Sequence, residues 1–165
     1  MALLKLAQVG CGGMGLRHAY GLIELQNNGF DTFELTAICD IQKSAAEKVA
    51  SEIEAGCGNR PKIYTDFSNL LEEENPDAVD IVTDTRFHHI YAIQALENGA
   101  NVTVEKPMAL TVRACQKMIN AAAALVIGGL AADLRAGVDL AREVIDNGVA
   151  TEKLETLAEF SQTLE

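Results

Sequence analysis

The chain predicts an α/β fold, a doubly wound parallel sheet of about five strands followed by a short α-helical tail. Three observations carry that prediction. Short apolar runs alternate with longer amphipathic ones through the first two thirds of the 165 residues. The apolar runs are closed by Gly, Asp or Pro and are apolar on both faces, as strands covered by helices on both sides are. A glycine-rich turn joins the first apolar run to the first amphipathic stretch.

In order, "LLKLAQVG" is the first strand, and residues 14 to 28 carry apolar positions at helical spacing, stopped by Asn27, Asn28 and Gly29. "FELTAICD" is the second strand, and residues 43 to 54 form the second helix with Ser44 as its cap. "GCGNRPK" reads as a loop by its Gly, Asn and Pro content. "IYTDF" gives a third strand, "SNLLEEEN" a short helix and "AVDIVTDT" a fourth strand. Residues 88 to 98 return to helical period and stop at Gly99; "NVTVEKP" is a fifth strand ended by Pro107, and residues 111 to 122 are helical. Neither an internal repeat nor a low-complexity linker interrupts this order.

Composition limits the function classes. Hydrophobic residues make up 48% and charged residues 22%, the balance of a soluble globular protein. The net charge of −11 argues against nucleic acid and anionic membrane surfaces, which need clustered Lys and Arg. No apolar run reaches the ~18 residues that cross a bilayer, and the start lacks the layout of a secretory leader. Cys11, Cys39, Cys57 and Cys115 are widely separated, and no Cys/His spacing suits zinc, so no metal site is expected. Buried reduced thiols fit Cys11 and Cys39, and a cytoplasmic location follows.

The turn "QVGCGGMGLRHAYGL" contains G-x-G-x-x-G as Gly10, Gly12 and Gly15, with Gly13 and Met14 inside it. Taken alone, the pattern also fits a tight strand-to-helix connection with no ligand. Its context is that of a dinucleotide site. Gly10 allows the sharp turn, Gly12 lets backbone approach a pyrophosphate, and Gly15 lets the helix pack closely on the strand. The helix N-terminus offers N–H groups to phosphate. Asp40 ends the second strand 25 positions after Gly15, near the expected separation of roughly 20. Its carboxylate can accept both ribose hydroxyls and would repel a 2′-phosphate, and neither Ile41 nor Gln42 supplies an Arg for that phosphate. NAD is expected over NADP on a Rossmann-type sheet.

Ligands of such sheets bind beyond the carboxyl ends of the strands. There the fold brings together the glycine turn, Asp40, Thr83 with Asp84, and Glu105 with Lys106, while His88 follows the fourth strand and faces the same crevice. Pro107 holds Lys106 extended, where it could bond a substrate hydroxyl or assist its proton transfer. The alternatives are a solvated Lys106 with Glu105 as its ion-pair partner, and a His88 that caps or packs locally.

"VGCGGMGLRHAYGL", "AICD", "DAVDIVTDTRFHHIYAIQALENGANVTVEKPMAL" and "CQKMINAA" resemble the N-terminal domain of the Gfo/Idh/MocA family, the glucose–fructose oxidoreductase and inositol dehydrogenase family, over residues 3 to 122. The resemblance implies NAD or NADP across the sheet edge and hydride transfer with a sugar or cyclitol hydroxyl. It implies that Gly10, Gly12 and Gly15 hold the pyrophosphate and Asp40 the adenosine ribose. Thr83 and His88 match positions lining the cofactor groove, Lys106 the lysine near the reacting carbon, and Pro107 a proline often in the cis form. Asp84 departs from the family, which usually has proline there.

Such proteins continue into a sixth strand and a substrate domain with a catalytic Asp and His pair. Here 43 residues follow residue 122, and none is His. The expected domains are therefore a dinucleotide-binding unit over 1–122 and a helical tail over 123–165, with the substrate half missing. Residues 119 to 128 are expected to be mainly helical, ended by Gly128 and Gly129, because four consecutive alanines favour helix and Val126 with Ile127 makes a poor sixth strand at "ALVIGG". Asp133 then caps "LRAGVDLAREVID", and Thr151 starts "EKLETLAEF". Residues 119 to 163 also resemble the C-terminal helices of anthranilate phosphoribosyltransferase, so the chain reads as a junction or chimera. The phosphate loop and acidic magnesium site of that enzyme have no counterpart, so phosphoribosyl transfer is not expected.

Three functions follow. The first is a dinucleotide-binding module. The second is an NAD-dependent oxidoreductase whose sugar or polyol contacts come from another chain. The third is an interaction protein working through its tail, whose apolar stripes need a surface and could find it by self-association into a homo-oligomer.

Overall fold

In the computed structural model the described residues are 3–30 and 32–127. Five strands and five helices alternate: β1 (Leu4–Val9), α1 (Gly13–Asn27), β2 (Phe33–Cys39), α2 (Lys43–Cys57), β3 (Lys62–Tyr64), α3 (Phe67–Glu74), β4 (Ala78–Ile81), α4 (Thr85–Glu97), β5 (Asn101–Val104) and α5 (Val112–Ile127). All pairings are parallel, in the order β3-β2-β1-β4-β5. The strand order reverses between β1 and β4, where sheets of this type open a crevice. The doubly wound fold is as expected.

Alternation along β1 splits the core between the two faces. Ala7 and Val9 pack with Val79, Ile81, Leu70, Ala92 and Met118 on the side of α3, α4 and α5. Leu6 packs on the other face with Ile38, Ala19, Ile23, Val49 and Ile53 of β2, α1 and α2. The β1–β2 register shifts between Leu6 and Ala7, whose partners are Leu35 and Ala37. Thr36 is the extra residue, and it turns Leu35 onto the same face as Ile38.

Several boundaries differ from expectation. The second helix is capped at Gln42 without a side-chain bond, so Ser44 lies inside it. It runs on to Cys57 because Gly58 takes the left-handed conformation (φ 80°) that closes it. The fourth strand stops at Ile81, leaving Thr83 and Asp84 in the turn beyond it. Asp84 instead caps α4, which starts at Thr85 rather than residue 88. Its Oδ1 accepts from Arg86 N at 2.9 Å, and the Arg86 guanidinium holds its carboxyl down at about 2.

A second cap is Asp66, whose Oδ1 accepts from Asn69 N at 3.0 Å and starts α3. Asp66→Ala is expected to cost about 1 kcal/mol of stability, read as a lower urea midpoint with unchanged slope. Helix α5 continues to Ile127, so Leu125 to Ile127 are helical and not a sixth strand. The proposed stop at Gly128 and Gly129 and the tail helices lie outside the described residues. Among the described residues no helix is long and apolar enough to cross a membrane.

Candidate functional site

A cleft of about 490 Å³ opens over the carboxyl ends of β1, β2 and β4. Gly10, Gly12, Gly13 and Met14 form one wall, and Asp40 with Thr83 lies across from them. Phe67, Phe87 and Tyr91 give it an aromatic side: Phe67 meets Tyr91 edge-on at 5.1 Å between centroids. Gly15, His88, Glu105 and Lys106 are not among its lining residues.

The glycine turn is fixed by backbone crowding. Gly10 sits at φ 101°, its N–H donates to Cys39 O at 2.8 Å, and a Cβ there would lie 2.5 Å from Val82 O. A Cβ on Gly15 would strike the Gly10 carbonyl. Gly12 and Gly13 differ, since a Cβ on either meets nothing within 4 Å. The space above them is open. Helix α1 begins at Gly13 with no side-chain cap, which leaves its first N–H groups facing that space.

Gln8, fully buried in β1, ties the turn to the strand. Its Nε2 donates to Gly10 O at 2.9 Å and to Gly15 O at 3.0 Å. Asp40 joins the turn from the other side, accepting from Cys11 N through Oδ2 and from Gln42 N through Oδ1, both at 2.8 Å. Each carboxylate oxygen keeps further lone-pair capacity for a ligand hydroxyl. Cys11 and Cys39 are buried free thiols, as expected. Burial first, then the charge of Asp40, pushes the Cys39 thiol up to about 12 and raises Cys11 as well, which keeps both in the thiol form.

His88 turns inward. Its ring is 1% exposed, with Nδ1 3.0 Å from Pro107 O and Nε2 3.0 Å from Thr83 O. It thus pins the turn after β4 to the turn after β5, and does so from behind the cleft. The Lys106–Pro107 bond is cis. Lys106 is exposed at the end of β5.

Glu105 pairs with His18, and not with Lys106 as the alternative reading had it. Its Oε1 lies 3.4 Å from Nε2 of His18 on α1, whose Nδ1 is 2.8 Å from Oδ2 of Asp80 in β4. Burial acts to lower the His18 pKa, but the hydrogen bonds and charges of Asp80 and then Glu105 outweigh it and raise it. Asp80 is raised by burial, against the pull of His18. The raised His18 value makes the bridge's contribution to stability full below the ordinary 6.5 and lost as pH rises through the folded value. Sequence reasoning missed both His18 and Asp80. The available signal was a carboxylate in the middle of "AVDIV", since a charge inside a buried strand needs a partner.

Residues 4–126 match the family described as "Oxidoreductase family, NAD-binding Rossmann fold", GFO_IDH_MocA. A glycosyl hydrolase family 109 protein of Shewanella baltica is 29% identical over 126 residues, 74% of this chain and 26% of that protein. Among solved structures, myo-inositol 2-dehydrogenase from Lactobacillus plantarum is 30% identical, with a TM-score of 0.63 over 73% of this chain and 33% of that one. A dehydrogenase from Bordetella pertussis in complex with NADH and UDP-GlcNAcA is 28% identical, with a TM-score of 0.59 over 73% of this chain and 34% of that one. The chain spans about a quarter of the length of the curated relatives it matches. The match ends at residue 126, and the likeness of 119–163 to a phosphoribosyltransferase falls mostly outside the described residues.

Proposed function

The chain belongs to the Gfo/Idh/MocA oxidoreductase family, with the NAD-binding Rossmann fold, and on that premise we propose that its cleft binds NAD(H) in preference to NADP(H). The observation that carries the reading is the bond from Cys11 N to Asp40 Oδ2. It builds a ribose acceptor and a phosphate cradle as one piece. The open space over Gly12 and Gly13 suits a pyrophosphate, and the N-terminus of α1 favours its charge. Ile41, 79% exposed beside Asp40, offers an apolar surface to the adenine.

When bound, the nicotinamide would supply hydride donor or acceptor capacity. Lys106 is the group proposed to hold the substrate hydroxyl and shift its proton at Nζ. His88 keeps the turns on either side of that position in fixed relation. A sugar or polyol hydroxyl is the proposed substrate group, with its remaining contacts supplied from outside residues 1–122 or by another chain.

Titration of the full chain with NADH and NADPH, followed by nicotinamide fluorescence, tests the reading; a panel of polyols and sugars then tests turnover. Binding with turnover marks an oxidoreductase, and binding without it marks a dinucleotide module. Absence of binding would overturn the proposal and leave an interaction protein. With Asp40 proposed to take the ribose hydroxyls, NADH is expected to bind more tightly than NADPH, and Asp40→Ser is expected to narrow the gap. Equal affinities in the unsubstituted protein would refute that preference.

A further inference from the structure

His18 of α1, Asp80 of β4 and Glu105, directly after β5, meet around the His18 ring. Both ring nitrogens of His18 face carboxylate oxygens, at 2.8 Å and 3.4 Å. Carboxylates accept and do not donate, and a neutral imidazole carries a single N–H. The Nδ1–Asp80 contact is a hydrogen bond, whereas Nε2 and Glu105 form an ion pair only while the ring is protonated. On losing one proton, the ring keeps its N–H on the shorter bond to Asp80, and Nε2 then turns a lone pair toward Glu105.

The surroundings reinforce that order. Asp80 is 6% exposed, and its Oδ1 has no hydrogen-bond partner among the described residues, so His18 is what compensates its charge. Glu105 has no such constraint and can swing away. Among the described residues no other charged group is paired with the ring: Arg17, one position before it on α1, contacts Met14 Sδ at 3.9 Å instead.

We propose that His18 is a positioning residue whose proton sets the relation between the glycine turn and the Glu105–Lys106 turn, so that the grip on the dinucleotide follows its charge. The chain geometry supplies the coupling. Gly13, Met14 and Gly15 form the first turn of α1 and His18 lies on the next, while Lys106 directly follows Glu105. Release of Glu105 therefore loosens both turns against each other. This inference rests on the dinucleotide reading of the cleft.

The test uses the full chain. NMR follows histidine ring signals and backbone amides between about pH 5.5 and 9. The His18 signal, assigned by its loss in His18→Gln, is expected to titrate later than an exposed histidine. Amides of Gly12, Gly13 and Lys106 are expected to shift with the same midpoint and to lose that step in His18→Gln. NADH affinity is expected to weaken at least about threefold across the midpoint.

Glu105→Gln is the second variant. Its amide can donate to the neutral Nε2, so the bridge survives deprotonation and NADH affinity becomes flat over this range. A role in folding alone would not move that profile. Amides that ignore the His18 midpoint, or an unchanged profile in Glu105→Gln, would overturn the inference. Should NADH fail to bind at every pH, the dinucleotide reading falls, and the amide titration still decides whether His18 couples the two turns.

Discussion

Replacing Gly15 with alanine is expected to lower folding stability by about 3 kcal/mol, at the upper end of what overpacking costs. The new Cβ would collide with the carbonyl oxygen of Gly10 and lie 2.9 Å from Nε2 of Gln8. Neither neighbour can yield cheaply. Gly10 is held by its bond to Cys39 O and by the closeness of Val82, and the Gln8 amide is buried and already donates to both glycine carbonyls. Relief requires α1 to lift from β1, which would break the Gln8 bonds and uncover Ala19 and Ile23. Urea denaturation should show the loss as a lower midpoint with unchanged slope. A loss under about 1 kcal/mol would mean that the spacing of helix and strand is slack.

The same turn shows how far residue types alone carry a reading. Gly10 and Gly15 were legible because each answers a local geometric need, Gly12 entered only through the ligand it is proposed to face, and the periodicity around them placed the turn between strand and helix. Asp40 was legible because it ends a strand. The order of strands and helices followed from apolar spacing, which reports burial directly. Boundaries set by side-chain bonds were less visible. Asp84 reads from the sequence as a strand-end polar group, and its bond from Arg86 N shows that it caps α4.

Contacts that join distant elements were hidden. Glu105 sits next to Lys106 in sequence, yet its ion-pair partner, His18, lies on a helix 87 positions earlier. Gln8, a polar residue near the end of an apolar strand, is fully buried and bonds the turn that follows. His88 illustrates a middle case. The sequence placed it beside the crevice, and the fold turns its ring away from the cleft onto two backbone carbonyls.

Gly12→Val should separate binding from folding, which Gly15→Ala cannot do. Gly12 sits at φ −69° and ψ −165°, a conformation open to any residue, and its Cβ would meet no protein atom within 4 Å. Stability is therefore expected to change by no more than about 0.5 kcal/mol. The isopropyl group would instead fill the space over the first turn of α1, where the pyrophosphate is proposed to lie. It would hold the phosphates away from the N–H groups there and weaken the contact that most depends on distance. Dinucleotide affinity is expected to fall at least tenfold, about 1.4 kcal/mol, in NADH titrations by fluorescence. Adenosine, which carries no phosphate, should lose much less. If NADH binds the well-folded variant as tightly as the unsubstituted chain, the glycine turn serves packing only, and the ligand in the cleft does not approach the backbone at Gly12.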